Sequence, residues 1–320
     1  MNVVKKGNSS PLGGGGVVVE DIVKTYGTKK KLVTALDDIS FEVEPGELFG
    51  IIGPDGAGKT SLFRILTTLL LADKGHATLA GFDVVKDYKA VRKRVGYMPG
   101  RFSLYQDLTV QENLDFFATI FNTSIHENYD LIKDIYKQIE PFKERKAGKL
   151  SGGMKQKLAL SCALIHRPSV LFLDEPTTGV DAVSRKEFWD MLKNLKQQGI
   201  TILVSTPYMD EASLCGRVAL VQSGKILSIN TPEGIVQEFS KPLWAVKSET
   251  MLHLLKDLQR SDFVEDAYPF GEYHHVVLKD GDGEESLAKF IAERVNEHAI
   301  LQQVKPDIED CFIALMKEYS

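Results

Sequence analysis

The most chemically suggestive residues run from Gly53 to Thr60, GPDGAGKT. They fit the spacing G-x-x-x-x-G-K-[ST] and lie between an apolar run, LFGIIG, and a segment patterned as a helix. Gly56 and Gly58 let the backbone curl until successive N–H groups face phosphate oxygens. The positive end of the following helix adds to that field. Lys59 offers an ammonium to β- and γ-phosphates, and Thr60 a hydroxyl to Mg²⁺. Gly53, Asp55, Ala57 and Ser61 complete the candidate nucleotide contacts of this loop.

A phosphate cradle needs a metal partner. Asp174 closes the apolar run VLFL, and the carboxyl ends of parallel strands are where such sheets hold ligands. Asp174 is therefore a candidate Mg²⁺ ligand, directly or through water, and Glu175 a candidate general base for an attacking water. The bland alternative, an acidic pair capping a turn, is disfavoured by the phosphate loop upstream. Tyr26 has two readings, a platform stacked on a purine or an ordinary partly buried tyrosine. In LSGGMKQKLAL (150–160), Ser151 is placed to cap a helix, and Gly152 and Gly153 leave its first N–H groups uncovered. That is either a tight turn or an anion surface closing over a nucleotide held by another subunit.

These groups need a scaffold. From Val17 to about Ile229, short β-rich runs alternate with helical patterns, which argues for an α/β core with a largely parallel sheet. TSLFRILTTLL (60–70) places Leu62, Ile65, Leu66 and Leu69 on one helix face, and Phe188, Met191, Leu192 and Leu195 mark another helix. VVVEDIVKTYG and ALDDISFEVEPGE alternate as an antiparallel edge layer would. A helix-rich insertion covers about 101–165, and VALVQSGKILSI reads as a hairpin turning at Ser223–Gly224. Pro232 opens a helix. Beyond it, strand-like LWAVKS and YHHVVLKD and helical ETMLHLLKDLQR, ESLAKFIAERVNEH and DIEDCFIALMKEY suggest a small α+β domain. The expected division is a flexible tail 1–16, a nucleotide-binding domain 17–235 and an accessory domain 236–320.

Bulk properties limit the alternatives. The 320 residues are 43% hydrophobic and 26% charged, with net charge −5, which suits a folded protein and gives no support to bulk nucleic-acid binding. The basic runs Lys29–Lys31 and Lys143–Lys149 read as solvated surface or small contact patches. No stretch approaches 18 uninterrupted apolar residues, and the start lacks the features of a secretory signal. Cys162, Cys215 and Cys311 form no framework, which favours a reducing cytosol. His76, His126, His166 and His298 have no metal-ligand spacing, and the adjacent His274 and His275 should face opposite sides of a strand.

Taken together, the motifs resemble those of the nucleotide-binding subunit of ATP-binding cassette (ABC) transporters, particularly the multidrug and ABC-2-type exporter branch. GPDGAGKT looks like the family's phosphate loop, LSGGMKQKLAL like its signature and VLFLDEP like its acidic strand. TTGVD resembles the loop whose aspartate, here Asp181, crosses the dimer seam, and VKTYG the segment that places an aromatic, here Tyr26, on adenine. The resemblance implies a head-to-tail sandwich of two ATP-binding subunits, the second a copy or a paralogue. Two ATP and Mg²⁺ lie in the seam, with Ser151, Gly152 and Gly153 over the nucleotide of the partner. It also implies transmembrane permease subunits docking near Gly100–Leu108, and a place on the cytoplasmic side of the cell membrane. Phe102, Leu104 and Tyr105 would suit a buried partner helix better than Arg92 or Arg101. The tail LQQVKPDIEDCFIALM resembles the accessory domain of drug- and lipid-export ATPases.

Two positions depart from the family pattern. Gly100 stands where a glutamine is expected, and Pro207 where a histidine is expected, so neither can supply a side-chain contact to metal, water or γ-phosphate. Three functions follow as expectations: an exporter ATPase with slow turnover, a largely non-hydrolytic or regulatory subunit paired with an active paralogue, and a soluble ABC ATPase acting on ribosomes or DNA.

Overall fold

The computed structural model describes residues 15–28, 31–100, 104–281, 283–294 and 299–318. Most of the expected tail, with Lys29, Lys30, Arg101, Phe102 and His298, lies outside the described residues. Gly15 and Gly16, assigned to the tail, are buried. The chain divides into two compact units, residues 1–232 with 318–320, and residues 233–317.

The first unit opens with β1 (Val17–Thr28), β2 (Lys31–Val43), β3 (Leu48–Ile52), α1 (Lys59–Leu66), β4 (Lys74–Leu79), β5 (Phe82–Asp83), α2 (Tyr88–Arg92) and β6 (Val95–Met98). It continues through α3 (Val110–Ile120), α4 (Ile125–Tyr136), α5 (Gly152–Leu164), β7 (Val170–Asp174), α6 (Ala182–Gln197), β8 (Thr201–Thr206), β9 (Arg217–Gln222) and β10 (Lys225–Asn230). Among the described residues, β2-β1-β4-β5 form an antiparallel sheet and β10-β9-β3-β8-β7-β6 a mixed one, parallel from β9 to β6. Strands β3, β7 and β8 are buried throughout, which is why they read as unbroken apolar runs rather than alternating ones. The rings of Phe63 on α1 and Phe172 on β7 meet edge to face, with centroids 5.3 Å apart.

The expected helix 60–70 is shorter. It stops at Leu66, where the Thr67 hydroxyl donates to the Phe63 carbonyl at 2.7 Å and Thr68 turns to φ +64°. Leu69, counted on the apolar face by spacing, is exposed. The β9–β10 hairpin turns where expected, with Ser223 and Gly224 both at positive φ, the geometry of a tight two-residue turn.

The second unit begins inside α7 (Pro232–Glu238), of which only Pro232 belongs to unit one. It comprises β11 (Leu243–Lys247), α8 (Met251–Gln259), β12 (Val264–Phe270), β13 (Tyr273–Leu278), α9 (Glu284–Arg294), β14 (Ile300–Val304) and α10 (Ile308–Glu318). The order β12-β13-β11-β14, antiparallel at every pairing, is the split β-α-β-β-α-β arrangement of ferredoxin-like domains. Trp244 and Val246 pack with Leu254, Leu258, Leu287 and Phe290 of α8 and α9. The buried Asp310 of α10 accepts from Tyr268 at 2.8 Å and bonds His275 Nδ1 at 2.6 Å. His274 instead bonds the Met251 carbonyl, so the two histidines do part company as their strand spacing requires.

Candidate nucleotide site

Parallel register places four strand ends in one row. Ile52 lies beside Thr206, Asp174 beside Ser205, and Met98 beside Leu173. Gly53, Pro207, Glu175 and the Pro99–Gly100 step therefore leave the sheet along one edge, the carboxyl end where parallel sheets bind ligands.

At the first of these ends the loop is locked by backbone proximity. A Cβ at Gly53 would fall 2.1 Å from the Val221 carbonyl oxygen, and one at Gly58, where φ is +102°, 2.3 Å from that of Ala35. Gly58 thus starts α1 without a side-chain cap, leaving the first N–H groups of the helix to a ligand. Asp55 and Gly56 are exposed, Ala57 is buried, and Thr60 and Ser61 are partly covered. Lys59 is only 4% exposed. Its Nζ donates to the carbonyls of Gly53 at 2.7 Å and Pro54 at 3.0 Å, and sits 3.5 Å from Glu175 Oε1. Tyr26 is 40% exposed, with its hydroxyl 3.0 Å from Ser61 Oγ, which brings an aromatic face to the start of α1.

At the end of β7 the acidic pair is held by its neighbour strand. Ser205 Oγ donates to Asp174 Oδ1 at 2.5 Å, and the Glu175 N–H donates to the Ser205 carbonyl at 2.9 Å. Asp174 is buried, and Glu175 adopts φ +49°, an uncommon left-handed conformation for a non-glycine residue. Burial first, then the charge of Asp174, pushes the Tyr97 phenol up to about 12. The protein donors offered to a cation are oxygens, Asp174 and Thr60. That set fits Mg²⁺, whose remaining ligands come from phosphate and water.

The two departures occupy the same edge. A Cβ at Gly100 would lie 3.1 Å from the Asp174 carbonyl oxygen and 3.8 Å from Glu175 Cβ, so a side chain there would start beside the acidic pair. Pro207 follows Thr206, whose hydroxyl donates to Glu211 at 2.6 Å and accepts from the Tyr208 N–H at 3.1 Å. Gln106 takes no part here, since it packs against Gly148 and its carbonyl accepts the Gly148 N–H. Ser205, by contrast, is a supporting residue that spacing alone did not identify.

A second group forms at the start of α5. Ser151 is exposed and accepts from the Met154 N–H at 3.3 Å, while Gly152 is exposed and Gly153 buried. A Cβ on Gly153 would come within 2.7 Å of Ser184 Oγ. Ser184 in turn donates its N–H and hydroxyl to Asp181 at 3.0 and 2.8 Å, capping α6 and holding the Asp181 carboxyl below its usual range. Ser151, Gly152, Gly153 and Asp181 are thus brought together, on elements other than those that carry Lys59 and Tyr26. Gln156 ties α5 to the loop after the acidic pair, donating to the Pro176 carbonyl at 2.7 Å.

Beside Gly100 opens an apolar groove of about 400 Å³, walled by Tyr97, Met98, Pro99, Leu104, Phe117 and Ile120. His166 stacks on Phe121 at 3.7 Å, and burial pushes its pKa down to about 4. The buried Asn113 side chain fixes the loop to Leu108, accepting from the Tyr105 N–H and donating to the carbonyls of Tyr105 and Thr109.

The chain is similar to known proteins in sequence and in fold. Residues 36–178 match the family model described as ABC transporter. A probable multidrug ABC transporter ATP-binding protein, YbhF of Escherichia coli K12, is 38% identical over 294 residues, 91% of this chain. The chain spans only 50% of that relative's length. The ABC transporter ATP-binding protein NatA of Bacillus subtilis 168 is 37% identical over 66% of this chain and 87% of its own. The doxorubicin resistance ATP-binding protein DrrA of Mycobacterium tuberculosis H37Rv is 36% identical over 76% of this chain and 72% of its own. In three dimensions, an ATP-binding subunit of an ABC transporter superposes with TM-score 0.62 and 25% identity, over 70% of this chain and 92% of that one. The cassette MJ0796, solved as a dimer with ADP and phosphate, shares the fold with TM-score 0.61 and 24% identity, over 67% of this chain and 98% of that one.

Proposed function

This chain belongs to the ABC transporter ATP-binding family, and from that premise we propose that it binds MgATP between two cassettes and hydrolyses it slowly to power an ABC-2-type membrane exporter. The observation that carries this reading is the meeting of the Lys59 ammonium with Glu175, beside an Asp174 fixed by Ser205. Lys59 exchanges its loop carbonyls for β- and γ-phosphate oxygens, a gain in charge-assisted bonding. Thr60 and Asp174 hold Mg²⁺, Glu175 takes a proton from the attacking water, and Tyr26 stacks on adenine. Ser151, Gly152 and Gly153 of one chain cover the γ-phosphate held by the other, with Asp181 at the seam.

Nucleotide that touches both halves favours the closed state. Moving the population from mostly open to mostly closed takes a preference of about 10⁴, roughly 5.5 kcal/mol. The apolar groove beside Gly100 supports a permease helix as the element that reads this closure, which would keep the chain at the cytoplasmic face. The descriptions of relatives as multidrug and doxorubicin resistance proteins support export. Net charge −5 weighs against the alternative of work on ribosomes or DNA.

A second reading has the site bind ATP mainly as structural glue, paired with an active paralogue. Gly100 and Pro207 favour it. Single-turnover ATP cleavage by the purified chain and by Glu175→Gln separates the two. Slow catalysis predicts wild-type cleavage about 10²–10⁴-fold faster than the variant. Equal, negligible cleavage by both overturns it in favour of the structural site.

A further inference from the structure

The sheet of the second unit ends in two unlike strands. At one margin, β12 carries Pro269, which has no N–H to offer a further strand, and the charged Glu265 and Asp266. Lys317 pairs with Asp266 there. These are the devices by which proteins refuse an extra strand. At the other margin, β14 is ILQQV, five residues with neither charge nor proline. Among the described residues it pairs with β11 alone. Ile300 is 46% exposed, and Gln302 and Gln303 are exposed too. Among the described residues, one margin is closed to pairing and the other carries no further strand.

We propose that β14 pairs antiparallel with β14 of a second copy of this chain, joining two accessory units through one continuous sheet. The sequence of the strand supports this occupant. A two-fold pairing that uses all five residues sets Ile300 opposite Val304, Leu301 opposite Gln303, and Gln302 opposite itself. Across β11, Leu301 and Gln303 lie on the side of Val246 and Trp244, with Leu301 packed on the core beneath α8 and α9. Ile300, Gln302 and Val304 lie on the opposite side. The exposed Ile300 thereby gains an apolar neighbour, and the paired glutamines can exchange amide hydrogen bonds.

A five-residue edge buries far less than the roughly 1,200 Å² of a standing interface. It therefore acts as a second contact within a dimer already held by nucleotide, where the effective concentration is high. The inference rests on the two-cassette reading given above.

The test is a disulfide across the symmetry axis in the full-length chain. Glu175→Gln/Gln302→Cys is mixed with MgATP, oxidised with copper-phenanthroline and run on a non-reducing gel, with light scattering of the unoxidised sample in parallel. The native thiols Cys162, Cys215 and Cys311 are all buried, so background is low. Gln302→Cys is expected to give about ten times more covalent dimer than Glu265→Cys on the closed margin, with Gln303→Cys between them. In the Glu175→Gln background, Gln302→Lys, which sets two ammoniums face to face, is expected to lower the ATP-driven dimer fraction with unchanged monomer Tm. If MgATP doubles the mass but Gln302→Cys cross-links no better than Glu265→Cys, the strand pairing is wrong and the cassette dimer stands. If MgATP neither doubles the mass nor yields any cross-link, both readings fall.

Discussion

The ends of β3 and β7 and the ends of β6 and β8 lie side by side in one sheet, yet they carry opposite chemistry. The first two deliver Lys59, Asp174 and Glu175, each held by named partners. The second two deliver Gly100 and Pro207, which offer no polar side chain at all. Under the proposed function, the comparison separates gripping a nucleotide from timing its cleavage. Charge and backbone N–H groups suffice for the grip, whereas fast cleavage also needs donors placed where charge develops in the transition state.

The largest expected effect lies on the intact side. Lys59→Ala removes the buried ammonium and is expected to weaken MgATP binding by about 100-fold, near 3 kcal/mol, in titration calorimetry. Near-normal affinity would break the comparison, because the grip would then owe nothing to this lysine. Next comes repair of the altered side. Gly100→Gln with Pro207→His is expected to raise single-turnover cleavage by roughly 10–100-fold while nucleotide affinity changes little. The Cβ at 100 needs the Asp174 carbonyl to yield by a few tenths of an ångström. No increase in rate would place the slow step elsewhere. The smallest effect sharpens the boundary between the two sides, because Ser205 on β8 serves the acidic pair of β7. Ser205→Ala is expected to cost about 1 kcal/mol in urea unfolding, and to raise the Mg²⁺ concentration needed for half-maximal ATP binding. An unchanged midpoint in both would mean that Asp174 needs no such anchor.

Much of the candidate site was legible in sequence because its chemistry is local. GPDGAGKT specifies turn, helix start, charge and hydroxyl within eight residues, and VLFLDE places its acids at the end of a buried strand. The support given by Ser205 was not legible, since it depends on β8 lying beside β7 in a particular register. Helix α1 was overextended because apolar spacing runs on through Leu69 after the backbone has already turned at Thr68. Strands β12 and β14 escaped notice for a related reason. VEDAYPF and ILQQV have too little apolar alternation to announce a strand, and it is their neighbours β13 and β11 that recruit them.

The contact of Gly153 with Ser184 has a mechanical consequence. With no side chain between them, the first turns of α5 and α6 are geared together, and Asp181 is bolted to the same joint by two hydrogen bonds. A side chain at position 153 would have to push Ser184, and with it the start of α6, aside. Under the proposed function, a nucleotide covered by Ser151 would press on the same joint that holds the aspartate.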